Sequence, residues 1–101
     1  MNVDRVFDAL ASPARRQMLR HLSQVEMTTT ELASHFPMST PAVSRHLSVL
    51  ENAGLVASRR DGQRVLYGLV RDTVIEALSG LATDLSGQPG VVRAKKQRDA
   101  I

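Results

Sequence analysis

The sequence predicts a mainly α-helical domain of about five helices that carries one two-stranded β-hairpin. Three observations lead there. Apolar residues recur at helical spacing through most of the first 53 positions, three polar clusters have the composition of helix starts, and the one stretch that leaves this pattern is split by Asp61-Gly62. With 101 residues the chain suffices for one small domain with a single core.

Each element follows from local chemistry. Val3, Val6, Phe7 and Leu10 fall at i, i+3, i+4 and i+7, one stripe of a first helix that Ser12-Pro13 ends. The same pair opens a second helix, with Ser12 as cap and Pro13 at the first helical position, where a missing N–H costs nothing. Met18, Leu19 and Leu22 form its inward face, and Met18, Met27 and Met38 read as core fillers. Thr28-Thr29-Thr30-Glu31 has capping-box spacing, in which hydroxyl and carboxylate satisfy each other's free backbone N–H groups. The third helix it opens is expected to run to about Phe36, with Leu32, Ala33 and Phe36 inward and Pro37 closing it. Ser39-Thr40-Pro41 opens a longer fourth helix, with Val43, Leu47 and Leu50 inward and Gly54 as terminator.

Residues 55–60 and 63–70 read as two strands joined by Asp61-Gly62, whose tolerance of positive φ suits a tight type I′ turn. On that reading Gln63 faces Arg60, and Arg64 faces Arg59. The last helix runs from about Asp72 to Leu85. Its Val74, Leu78, Leu81 and Leu85 alternate spacings of four and three, the seam of a helix laid against another helix. Gly87, Pro89 and Gly90 then break the chain, dividing a structured domain, 1–86, from a basic tail, 87–101, expected to be disordered.

Composition narrows the function classes. There is no Cys, which removes disulfides, thiolate metal sites and thiol redox switches. No apolar run approaches the ~20 residues of a membrane span and no signal peptide is read, so a cytoplasmic location is expected. No Gly-rich phosphate loop, nucleophile elbow or carboxylate pair in an evident pocket is present, so the chain is read as non-enzymatic and without a cofactor.

The net charge of +3 is unevenly distributed. Residues 1–38 are neutral, 39–71 hold five Arg against two acids, 72–86 hold three acids and no base, and the tail carries four bases against one acid. An anion-binding function therefore belongs first in 39–71. There, Ser39, Thr40, Pro41, Ser44, Arg45 and Ser48 lie away from Val43, Leu47 and Leu50, so the fourth helix packs by one face and offers small polar groups and one guanidinium on the other. Such a face fits a DNA major groove, where Arg pairs bidentately with guanine and hydroxyls take phosphates or base edges. Arg45 is the expected base reader, although taken alone it reads equally well as a solvated surface residue. His46, beside it, is expected to be a framework residue or a phosphate contact. In the hairpin, Arg59, Arg60 and Arg64, with Gly62 and Gln63 at the tip, would place like charges opposite each other. An anion across the hairpin would relieve that repulsion, as a phosphate backbone does, whereas the bland alternative is protection of an exposed sheet edge.

Two short helices, the second with a polar face, followed by a basic hairpin, describe a winged helix-turn-helix. The runs "SPARR", "AVSRHLSVLENAGLV" and "GQRVLYGL", within residues 3–86, resemble the ArsR/SmtB family of bacterial transcriptional repressors, and most closely its SdpR-like branch of autorepressors. The resemblance implies a homodimer on an inverted-repeat operator near its own promoter, joined through the first and last helices. Val3, Val6, Phe7, Leu10, Val74, Leu78, Leu81 and Leu85 are the corresponding interface residues. The last helix supports this independently, since its seam offers more apolar surface than one small core absorbs.

The family's metal sensors carry two sites that this sequence lacks. Ala33 and His35 stand at the thiolate positions of one. At the other, Asp72, Val74, Leu85 and Gln88 leave one possible ligand of four, short of the three or four a zinc ion takes. His21 and His35 are read as surface residues, and Arg15-Arg16 as phosphate contacts or as ion-pair partners of Asp8 or of a second subunit. Regulation would then come from a protein or small-molecule inducer. Two alternatives stay open, a metal-responsive sensor with an atypical His/carboxylate site and a winged helix used only for protein interaction.

Overall fold

The structure is a computed structural model and describes residues 1–87. The expected tail from 88 onward lies outside the described residues. Five helices and one hairpin follow in the order α1 (Val3–Leu10), α2 (Pro13–Leu22), α3 (Thr29–Ala33), α4 (Thr40–Asn52), β1 (Val56–Asp61), β2 (Arg64–Leu69) and α5 (Arg71–Leu85). Among the described residues no helix is long and apolar enough to cross a membrane.

The helix starts are fixed by short polar side chains. Asn2 Oδ1 accepts from the Arg5 N–H, Ser12 Oγ from Arg15 and Ser39 Oγ from Ala42, each satisfying a backbone donor that the helix itself leaves free. Thr28 and Glu31 form the reciprocal pair the spacing predicts: Thr28 Oγ1 accepts from the Glu31 N–H at 3.1 Å, and Glu31 Oε1 from the Thr28 N–H at 2.8 Å. Helix α3 ends at Ala33, three residues before the expected Phe36, which lies in the turns that follow. The end of α4 is a Schellman motif. Gly54, at φ +78°, donates to Glu51 O, and Leu55 N donates to Leu50 O, while Leu50 and Leu55 are both fully buried.

The core is formed by Val6 and Ala9 of α1, Met18, Leu19 and Leu22 of α2, Leu32 of α3, Val43, Leu47 and Leu50 of α4, Leu55 and Val56 leading into the hairpin, and Ala77 of α5. Helix α1 packs on α2, α4 and α5, and α3 packs on α4. Phe7, Met27, Phe36, Met38 and Tyr67 close the margins.

The junction of α1 and α2 accounts for "SPARR". Cations in the first turn of a helix oppose its dipole, and the last turn of α1 carries no basic residue of its own. Arg15 resolves both by donating from Nε to Ala9 O at 2.8 Å and from Nη2 to Asp8 O at 3.2 Å, and Arg16 by donating from Nη1 to Leu10 O at 2.7 Å. Arg15 thus meets the backbone carbonyl of Asp8, not the carboxylate that the sequence suggested. Both arginines close the C-terminus of α1.

The capping box at Thr28 gives a stability prediction. Thr28→Ala should lower unfolding free energy by about 1 kcal/mol in chemical denaturation, while Thr28→Ser, which keeps the hydroxyl, should change it by only a few tenths.

Candidate nucleic-acid interface

Helix α4 is held by one face. Val43, Leu47 and Leu50 are at most 1% exposed, whereas Ser39, Thr40, Pro41, Ser44, Arg45 and Ser48 are all exposed. The structure therefore brings the predicted polar face together on one continuous surface. Among the described residues Arg45 has no hydrogen-bond or ion-pair partner, and its guanidinium keeps five donors for an external acceptor.

His46 is half-buried on the flank of α4, where its Nδ1 lies 3.4 Å from Nη1 of Arg15. A guanidinium only donates, so Nδ1 is the accepting nitrogen and the ring proton sits on Nε2. Burial first, and then the charges of Arg15 and Arg45, hold the imidazole below the usual 6.5. Through Arg15, His46 links the flank of α4 to the end of α1.

The hairpin differs from expectation in register, and the difference matters. Asp61 pairs with Arg64, Arg60 with Val65 and Arg59 with Leu66, so the turn residues are Gly62 and Gln63, not Asp61 and Gly62. Gly62 has φ +65° and no other residue of the turn has a positive φ, the pattern of a type II′ turn, which wants Gly at its first central position. The expected opposition of Arg59 to Arg64 and of Arg60 to Gln63 does not occur. The argument from like-charge repulsion across the strands falls with it, and a favourable Asp61/Arg64 pairing takes its place.

Two of the three wing arginines are also engaged. Arg59 meets Glu26 through Nη2 at 2.7 Å and through Nε at 3.1 Å to both carboxylate oxygens, and Arg64 Nη2 reaches both oxygens of Glu31 at 3.2 Å. The bond from Arg59 holds the Glu26 carboxyl below its ordinary range and raises Arg59 in turn. Glu31 is lowered chiefly by the Thr28 N–H, with Arg64 adding to it. Sequence reasoning missed both acids, which lie 33 residues from their partners. Arg71 donates to the Ser23 carbonyl at 2.9 Å. Of the five arginines in 39–71, then, Arg45 and Arg60 are the two without a protein partner among the described residues.

The expected dimer residues divide. Leu78, Leu81 and Leu85 of α5 are 50%, 41% and 74% exposed, and Val3 is 43% exposed, while Phe7, Leu10 and Val74 are half-buried. Val6 is fully buried within the single chain, so its place on the interface is corrected: it belongs to the core. Ile75, absent from the expected set, is 59% exposed beside Leu78. His21 and His35 stack with ring centroids 4.4 Å apart, and Phe36 meets His21 edge-on. Among the described residues no three His, Cys, Asp or Glu side chains gather to hold a metal ion.

Comparison with known proteins supplies the setting for this surface. Residues 12–58 match the family described as "Bacterial regulatory protein, arsR family". The chain is 37% identical over 67 residues to the transcriptional repressor SdpR of Bacillus subtilis, a match covering 66% of this chain and 74% of that protein. It is 42% identical over 65 residues to a probable mercury resistance operon repressor of Streptomyces lividans, covering 64% of this chain and 52% of that one. Among solved structures, a homodimeric winged helix-turn-helix DNA-binding domain of Mycobacterium bovis, described as a possible ArsR-family transcriptional regulator, superposes with a TM-score of 0.69 at 31% identity. That match covers 90% of this chain and 86% of the other.

The state of His46 gives a pH prediction. Its folded pKa lies below the unfolded value, so the folded protein takes up the proton less readily. The associated stability is complete above pH 6.5 and is lost as pH falls from there through the folded pKa. Thermal unfolding across that range should show a decline in the wild type that is smaller in His46→Asn. Equal pH dependence in the two would remove the assignment.

Proposed function

The chain belongs to the ArsR family of bacterial regulatory proteins, and on that premise we propose that residues 1–86 form the DNA-binding and dimerisation unit of a transcriptional repressor. It is a regulator and not an enzyme. Two copies join through the exposed apolar face of α5, with Val3, Phe7 and Leu10 of α1 at its margin, and place two α4 helices on an inverted-repeat operator in the cytoplasm. The site in each copy is the face formed by Ser39, Thr40, Pro41, Ser44, Arg45 and Ser48, with His46 on its flank and Arg60, Gly62 and Gln63 in the wing, which Arg59 and Arg64 hold to the body through Glu26 and Glu31.

The observation that carries this reading is the division of α4 into a fully buried apolar face and an exposed polar face with an unpartnered guanidinium. A helix fixed from behind in this way needs no reordering before it enters a groove. The hydroxyls can then meet phosphates while Arg45 meets a base edge. The apolar face of α5 supports the dimer, because Ile75, Leu78, Leu81 and Leu85 lie exposed on one side of a 15-residue helix.

Arg45→Ala separates base reading from general attraction to DNA. It should cost about 1–3 kcal/mol on the preferred duplex and much less on unrelated sequence, read as a narrowing of the specificity ratio at fixed salt. Equal loss on both duplexes would show that Arg45 contacts backbone only.

A further inference from the structure

We infer that Glu26 is a positioning residue for DNA binding, which holds the wing to the body through Arg59 and leaves Arg60 as the wing's phosphate contact. The inference rests on the DNA-binding reading above.

A two-stranded hairpin has little stability of its own, so the direction of this wing depends on what ties it down. Three ties converge on the segment leading into α3 and on the first turn of that helix. The backbones of Met27 and Tyr67 exchange two hydrogen bonds, at 3.1 and 2.8 Å. Next to that bridge, Glu26 takes Arg59 in a forked contact, and beyond it Glu31 takes Arg64. Glu26 also lies over the backbone of Gly68. A Cβ there would sit 3.2 Å from Glu26 Cγ and 3.3 Å from Oε2, so the strand is open at the point where this side chain crosses it.

The register then sorts the cations. Side chains on a strand alternate between faces, and directly paired residues share a face. Arg59 and Arg64 stand with Asp61 and the buried Leu66 on the side that meets Glu26 and Glu31. Arg60 stands with the exposed Val65 on the other side, where no carboxylate of the described residues pairs with it. A paired arginine brings no net charge to a phosphate and displaces few counterions, whereas a free one brings a full charge. Both pairs are about half-exposed, with side-chain exposures of 55% and 43% in one and 54% and 50% in the other, so they add little to stability. Their effect is directional. Glu31 also serves the helix cap, whereas among the described residues Glu26 accepts hydrogen bonds from Arg59 alone, which makes Glu26 the specific determinant.

The test measures the affinity of the full chain for a duplex obtained by selection from random DNA, over a range of salt, with melting temperature as a check on folding. Arg60→Gln should lower the slope of log affinity against log salt by about one per protomer. Glu26→Gln and Arg59→Gln should each weaken binding several-fold with the slope and the melting temperature nearly unchanged. The double variant Glu26→Gln/Arg59→Gln should be no weaker than either single one, because the two residues act as a unit. A slope lowered by Arg59→Gln as much as by Arg60→Gln would overturn the inference by making Arg59 a phosphate contact. Tighter binding with a steeper slope in Glu26→Gln would overturn it too, since Glu26 would then compete with DNA for Arg59. A wild-type chain that binds no duplex at low salt would instead overturn the DNA reading, and this inference with it.

Discussion

Burial of Val43, Leu47 and Leu50 is the constraint on which the rest of the structure depends. These three side chains fasten α4 to the body by one face, and whatever lies opposite them is turned outward. Every neighbouring element serves that fastening. Helix α3 packs on α4 from one side and α1 from another, and the Schellman end at Gly54 locks Leu55 beneath Leu50 before the chain enters the hairpin. The Val70 N–H then donates to the Leu55 carbonyl, tying the start of α5 to the same point. An interface helix gains precision from this arrangement because the side chains that face a ligand do not also support the fold.

The charges obey a second constraint, that of being satisfied before a partner arrives. Read along the chain, 39–71 is a basic block. Folded, it gives Arg59 and Arg64 to Glu26 and Glu31, and Arg71 to a carbonyl at the end of α2. What remains for an external anion is narrower than the sequence suggests, namely Arg45 on the helix and Arg60 on the wing. Arg15 and Arg16 follow the same rule: two cations at the start of α2 close the carbonyl end of α1. In the proposed function DNA is the partner of the cations that remain, and the exposed apolar face of α5 is where two copies of them are joined.

Local chemistry made much of this legible in the sequence. Ser12, Thr28 and Ser39 could be identified as caps because each hydroxyl satisfies a donor within three residues of itself, and Gly54 as a terminator for a similarly local reason. The polar face of α4 was legible because helical periodicity alone assigns its sides. The hairpin's existence was legible, but its register was not: Asp61-Gly62 fits a turn with either residue leading, and a shift of one position changes every cross-strand pair. The Glu26 and Glu31 pairs were invisible because they join residues far apart in the chain. Arg15 and Arg16 did carry a signal, since two cations in a helix's first turn oppose its dipole and call for an outside acceptor. Val6 belongs to the same stripe as Val3 and Leu10, and spacing alone does not divide a core position from an interface position on one helix.

Selection of bound duplexes from random DNA by the purified chain tests the central claim most directly, that two copies present two outward faces of α4 to one duplex. The account predicts enrichment of a two-fold symmetric sequence whose half-site centres lie about one helical turn, or a multiple of it, apart. Enrichment of a single asymmetric site, or no enrichment at all, would contradict it.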